Sequence, residues 1–184
     1  MVKAVFLDRD GVINRKAAEG QYITCWEEFQ FLPKVPEAIV ALNRLKYSVI
    51  IVSNQRCVAK GLLTVEVLDK IHRRMLEHLS AFDAHVKAVY YCPHDTHDRC
   101  SCRKPAPGLL LQASRDHAID LSRSWMVGDS DTDVQVGKSA GCKTVRIVGT
   151  GTTAPAIGAD ISVPSLFEAV EPLISENSRW RGQG

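Results

Sequence analysis

Short, continuous apolar runs alternate along this chain with segments whose apolar residues recur at helical spacing, and no other feature constrains the fold as much. Residues 2–7, 47–52, 86–91, 124–127 and 143–148 read as strands; residues 36–46, 64–79, 108–117, 134–140 and 165–174 read as helices. Local signals support these spans. Pro36 stands at the start of the first helix, and Thr64 is placed to cap the second, which sets Val67, Leu68, Ile71, Met75, Leu76 and Leu79 on one face. Gly141 closes the fourth. Strands that are apolar throughout are buried on both faces, and strands alternating with helices imply a mostly parallel sheet. The expected architecture is α/β, a Rossmann-like three-layer sandwich whose ligands sit beyond the carboxyl ends of the strands.

With 184 residues and 45% hydrophobic content, the chain supports one core of this kind. A single domain is expected over residues 1–175, with a flexible tail at 176–184. A low-complexity stretch at 149–158 is rich in glycine, threonine and alanine. The 23 basic and 21 acidic residues leave a net charge of +2, without the excess that tracking a nucleic-acid backbone requires. No apolar run reaches membrane-spanning length, and residues 1–8 carry charge before any signal-like stretch develops. These features read as a soluble, cytoplasmic chain without nucleic-acid or membrane partners. No amphipathic segment is left unassigned, so a monomer is expected. The six cysteines are unevenly spaced, which together with that compartment favours thiols over a disulfide framework.

Polar residues gather where the apolar runs end. Asp8 and Asp10 follow the first run, and Gly11 then allows a sharp turn. One carboxylate of such a pair can attack phosphorus while the other donates a proton to the leaving oxygen and later activates water. Alone, the pair is more often a solvated turn. Ser53, with Asn54 beside it, ends the second strand and can hydrogen-bond a phosphoryl oxygen; Lys104 can offset phosphoryl charge. Asp129 and Asp133 follow a later strand and suit a hard cation such as Mg²⁺. Singly, Ser53 is a turn residue, Lys104 a surface lysine, and Asp129 or Asp131 a helix cap before Val134. Together they fall at one end of the inferred sheet.

A second cluster, Cys92-x-His94-x₅-Cys100-x-Cys102, puts three thiols and an imidazole within eleven residues. That set suits tetrahedral Zn²⁺, and four protein ligands make the site structural. A zinc loop over residues 92–105 would hold Arg103 and Lys104 against the polar strand ends. A redox pair of Cys100 and Cys102, or His97 in place of His94, are the alternatives.

In this combination and order the chain resembles the haloacid dehalogenase superfamily of phosphohydrolases. The matching motifs are DxD at Asp8 and Asp10, the serine at Ser53, the lysine at Lys104, and GDxxxD at Gly128, Asp129 and Asp133. The resemblance implies a Mg²⁺-dependent phosphatase in which Asp8 is the nucleophile and forms an aspartyl-phosphate. Asp10 would be general acid and then base. Mg²⁺ would lie between Asp8, the main-chain carbonyl of Asp10, and Asp129; Ser53 and Lys104 would hold the phosphoryl group, and Asp133 would orient the site. Residues 8–14 and 92–108 are similar to the heptose-bisphosphate and histidinol-phosphate branch, whose members have little or no separate cap domain. Only loop-sized intervals follow Asp10 and Ser53 here. A small phosphorylated sugar is therefore the expected substrate, with histidinol phosphate as the alternative. In the segment 54–61, Arg56, Cys57 and Lys60 depart from the sugar-type pattern. A bisphosphate would need further cations, and Arg103, beside Cys102, is favoured over Arg56 and Lys60. A zinc-stabilised binding module without catalysis is the competing class, and the complete set Asp8, Asp10, Ser53, Lys104 and Asp129 argues against it.

Overall fold

The computed structural model describes residues 1–149 and 158–181. Its strands are β1 (Ala4–Leu7), β2 (Ser48–Asn54), β3 (Ala88–Cys92), β4 (Trp125–Gly128), β5 (Lys143–Ile147) and β6 (Ile161–Val163). Its α-helices are α1 (Val35–Arg44), α2 (Arg56–Ala59), α3 (Val65–Ser80), α4 (Gly108–His117), α5 (Asp131–Ser139) and α6 (Leu166–Arg181). The strands form one sheet of order β3-β2-β1-β4-β5-β6, with every neighbouring pair parallel. The chain winds outward from β1 to β3 on one side and from β4 to β6 on the other. The direction therefore reverses between β1 and β4, where an open sheet forms its ligand crevice.

The side-chain alternation of β1 divides the core. Val5 and Leu7 join the cluster that includes Ile39 and Leu42 of α1, Met75 of α3 and Leu173 of α6. Ala4 and Phe6 join the opposite cluster, with Leu109 and Leu110 of α4 and Val136 of α5. Both faces are thus sealed with apolar packing, each fully buried aliphatic or aromatic side chain contributing about 1.5–3 kcal/mol. The carboxyl ends of the central strands are held on a rigid base.

Several boundaries differ from the sequence expectation in ways that affect the site. β2 runs two residues further, so Ser53 and Asn54 belong to the strand and pair in register with Tyr91 and Cys92 of β3. β3 ends on Cys92, which anchors the first residue of the thiol cluster in the sheet. α5 starts at Asp131, and its cap is Ser130 in a capping box with Asp133. α6 continues to Arg181, beyond the expected end at 174. The rest of the expected tail, 182–184, and most of the low-complexity stretch lie outside the described residues. Among the described residues, no helix is long and apolar enough to cross a membrane.

Candidate active site

β1 delivers Asp8 to the crevice, where Lys104 crosses from the loop before α4. The Lys104 ammonium is buried, ion-paired with Asp8 Oδ1 at 2.8 Å and Asp133 Oδ1 at 2.7 Å, and donates to the Val52 carbonyl at 3.0 Å. Burial would discharge the lysine, but the two carboxylates hold its pKa above the ordinary value. Asp8 responds chiefly to burial, which pushes its pKa up to about 7 against the pull of Lys104, with Asp133 and Asp10 adding to the rise.

Two glycines make this approach possible. A Cβ on Gly128 would stand 2.1 Å from Cβ of Asp133, and one on Gly11, at φ +89°, would stand 2.3 Å from Asp129 Oδ2. Asp133 Oδ2 accepts from Ser130 N and Oγ. Both of its oxygens are thus committed, to Lys104 and to the cap of α5, so Asp133 braces the site.

Carboxylate oxygens of Asp8, Asp129 and Asp133 lie within 4.8 Å of one another. Asp129 Oδ1 is buried without a hydrogen-bond partner, and Oδ2 accepts from Lys16 Nζ at 2.8 Å. An unpartnered buried oxygen among converging carboxylates is the donor set that a hard divalent cation takes, so these residues fit Mg²⁺. The Asp10 carboxylate lies outside the cluster. It is gripped by Arg9 through Nε and Nη2, by Asn14 Nδ2 at 2.9 Å and by Gln55 Nε2 at 3.1 Å. Although burial raises its pKa, Arg9, Asn14 and Gln55 outweigh that and hold Asp10 below the ordinary carboxylate range. An ionised Asp10 is ready to take a proton from water. Donating one requires that it first pick one up, which the approach of an anionic phosphoryl group favours.

The raised pKa of Asp8 predicts a pH-dependent response to metal. A carboxyl that binds its proton more tightly folded than unfolded contributes stability that is complete below the unfolded value of 3.8 and is lost as pH rises through about 7. A cation favours the ionised form and relieves that loss. The gain in Tm on adding Mg²⁺ is therefore expected to be larger at about pH 8 than at about pH 5.5, in thermal melts at constant ionic strength. Equal gains at both would mean that Asp8 is ionised throughout.

Ser53 is buried, and its Oγ accepts from Gln55 Nε2 at 2.7 Å. Asn54 lines the same cavity as Ser53, and its side chain pairs in both directions with the Lys104 main chain, Nδ2 to the carbonyl at 3.1 Å and Lys104 N to Oδ1 at 3.0 Å. It clamps the lysine loop onto the end of β2. Asp8, Asp10, Lys16, Tyr22, Ser53, Arg103, Lys104 and Asp129 all line one cavity of about 280 Å³, which suits a small ligand. The other cations considered are engaged elsewhere. Arg56 pairs with Asp95 at 2.8 Å, bracing α2 against the cysteine loop, and Lys60 lies over the Tyr22 ring at 5.1 Å. Asp131, at the start of α5, pairs with Arg146 at 2.9 Å.

The sulfurs of Cys92, Cys100 and Cys102 and Nδ1 of His94 form a compact group. Cys92 lies 3.5 Å from His94 Nδ1 and 3.6 Å from Cys100, and Cys102 lies 3.2, 3.4 and 3.3 Å from Cys92, Cys100 and His94 Nδ1. Zn–S bonds of about 2.3 Å and Zn–N bonds of about 2.0–2.1 Å in a tetrahedron give edges of roughly this size. A disulfide pair would leave the other two groups without a purpose, and His97 lies outside the cluster. Burial pushes the Cys92 thiol up to about 12, while hydrogen bonds from its neighbours outweigh burial at Cys100 and bring it down to about 6. The loop is further stitched to the site: Gln55 N donates to the Cys92 carbonyl at 2.7 Å and Arg103 Nη1 to the His94 carbonyl at 3.3 Å.

Removing a cation from these four ligands is therefore expected to loosen Lys104 as well as the loop. Zinc modules gain about 10–16 kcal/mol from metal, so losing even a third of that lowers Tm by about 10 °C or more in a domain of this size. Hydrogen exchange over residues 93–107, with and without chelator, checks this. Unchanged protection at Lys104 would separate the two centres.

Sequence reading missed five participants: Arg9, Asn14, Lys16, Gln55 and His72. Arg9, Asn14 and Gln55 adjoin the motifs, so proximity was a usable signal. His72 lies 63 positions from the arginine it contacts.

Comparison with known proteins gives a consistent picture. The HAD-hydrolase-like family model matches residues 101–168. The D-glycero-beta-D-manno-heptose-1,7-bisphosphate 7-phosphatase of Pseudomonas aeruginosa is 36% identical over 143 residues, covering 78% of this chain and 79% of that protein. The enzyme of the same name from Yersinia pestis is 34% identical over 164 residues, covering 85% and 86%. Among solved structures, the D,D-heptose 1,7-bisphosphate phosphatase of B. bronchiseptica, complexed with magnesium and phosphate, superposes with a TM-score of 0.85 at 32% identity. That match covers 95% of this chain and 99% of the other.

Proposed function

This chain belongs to the HAD-like hydrolase family, and from that membership we propose that it removes the 7-phosphate of D-glycero-manno-heptose 1,7-bisphosphate. It is a phosphatase, as its relatives are. The observation that carries the reading is the buried Asp8–Lys104–Asp133 ion-pair triad at the reversal point of the sheet, with Asp129 beside it.

The residues divide the work as follows. A carboxylate oxygen of Asp8 attacks phosphorus in line, and the bond from phosphorus to the sugar oxygen breaks. Asp10 gives its proton to that oxygen. A water then passes a proton to Asp10 and attacks phosphorus, breaking the bond to Asp8 and releasing inorganic phosphate. Lys104 and Ser53 hold the transferred group, which is where charge develops. Asp8, Asp129 and the main-chain carbonyl of Asp10 would hold Mg²⁺, which when bound supplies charge neutralisation to the phosphoryl oxygens. Cys92, His94, Cys100 and Cys102 would hold Zn²⁺ in a structural role. Asn54 acts by clamping the Lys104 loop.

Arg103 lines the cavity and, among the described residues, is held by one hydrogen bond, to the His94 carbonyl, whereas Lys16 is paired with Asp129, so Arg103 is the cation assigned to the second phosphate of a bisphosphate. Arg56, paired with Asp95, is not. The deciding experiment is Mg²⁺-dependent phosphate release measured side by side on the α and β heptose bisphosphates, histidinol phosphate and a DNA 3′-phosphate. Preference for a heptose bisphosphate supports the proposal, and preference for histidinol phosphate replaces it. Inactivity on all four by folded, metal-loaded protein would favour a binding module.

A further inference from the structure

We propose that His72 is a positioning residue for the acid–base carboxylate: its Nε2 accepts from Arg9 Nη1 and so fixes the guanidinium that grips Asp10. The inference rests on the phosphatase reading above, since it assigns His72 a part in that reaction.

Arg9 is 1% exposed, and its guanidinium is nearly used up by Asp10: Nε and Nη2 reach Oδ1 at 3.3 and 3.0 Å, and Nη2 reaches Oδ2 at 2.9 Å. Nη1 points the other way, to Nε2 of His72 at 3.2 Å. A guanidinium donates and never accepts, so Nε2 is the acceptor and the imidazole proton sits on Nδ1. The ring is therefore neutral, in keeping with burial and the neighbouring Arg9, which push its pKa down to about 3. His72 is 5% exposed on α3, amid Leu68, Ile71 and Met75. Its ring also lies 5.3 Å from that of Tyr91. What the imidazole adds, which an aliphatic side chain lacks, is an acceptor for Arg9.

Its removal would leave a charged N–H buried without a partner, a costly arrangement that the guanidinium escapes by turning. The same group holds Asp10. The Phe29 ring, 5.9 Å from Arg9 Cζ, offers a face but no lone pair of comparable direction. Asp10 would then keep Asn14 and Gln55 and lose its strongest anchor. A displacement of about 1 Å at a catalytic group costs up to roughly 10²-fold in rate.

The test uses full-length, zinc-loaded protein. His72→Leu is expected to lower kcat by about 10- to 100-fold with KM and the Mg²⁺ requirement nearly unchanged. His72→Gln, which keeps an acceptor, is expected to recover most of that loss. In an Asp10→Asn background His72→Leu should add little, because both changes act through one carboxylate. Imidazole ¹⁵N NMR of the wild type without substrate should show Nε2 unprotonated at neutral pH. An unchanged kcat in His72→Leu, a full further loss in the Asp10→Asn background, or a protonated Nε2 would overturn the proposal. Failure of the phosphatase reading is distinguishable from these: the wild type itself would then release no phosphate, whatever the NMR shows at His72.

Discussion

Asp8→Asn is expected to reduce kcat by at least about 10⁴-fold, the scale seen when a covalent nucleophile is removed. The protein should remain folded, because the asparagine oxygen can still accept from Arg9 N and from Lys104 Nζ, which reach Asp8 Oδ1 at 2.7 and 2.8 Å. The substitution also removes a buried charge whose pKa is already pushed up to about 7. Without that charge, the variant should be more stable than wild type above about pH 7 in the absence of metal, and should lose the pH-dependent gain in Tm from Mg²⁺. Loss of turnover with a gain in apo stability is the signature of a site that carries strain for function. Steady-state kinetics and thermal melts at two pH values measure both.

Lys104→Met has the opposite profile. It strips the shared partner from Asp8 and Asp133, whose side chains are 12% and 1% exposed, and leaves two facing carboxylates in one buried site. Breaking a buried ion pair from one side costs about 3–5 kcal/mol, equivalent to roughly 10 °C in Tm at this chain length. Turnover should fall by about 10²- to 10³-fold through lost stabilisation of phosphoryl charge. Because Lys104 pulls the Asp8 pKa down, whatever activity survives should shift to higher pH. The double variant Lys104→Met/Asp133→Asn separates the effects: it should regain stability without regaining activity. Recovery of both would make Lys104 a structural residue only.

Much of the crevice was legible because it lies at strand ends. Apolar runs that stop abruptly at Asp8, Ser53 and Asp129 mark carboxyl ends of parallel strands, and parallel strands share one end by construction. β6 and α2, three and four residues long, are too short to carry a period. The start of α5 was obscured by four adjacent residues able to cap a helix, Asp129 to Thr132; the capping box between Ser130 and Asp133 decides it. Asp133 reads as a residue that orients the site. In the folded chain it is also part of the helix cap, one oxygen on the helix start and the other on Lys104. Asn54 was picked out by adjacency to Ser53 and lines the same cavity, but its clamping contact was not legible. Its partner is the Lys104 main chain, 50 positions away. Pairings at such range leave no periodic trace, and the same holds for His72 and Arg9.

The whole mechanism turns on Asp8 carrying the phosphoryl group, and the direct measurement is peptide mass spectrometry of enzyme quenched in acid during turnover of the heptose bisphosphate with Mg²⁺. It predicts a phosphoryl group on the peptide bearing Asp8 in the wild type, more of it in Asp10→Asn, where water is no longer activated, and none in Asp8→Asn. Sustained phosphate release by Asp8→Asn, with no phosphoryl group on the Asp8 peptide of the wild type, would contradict it.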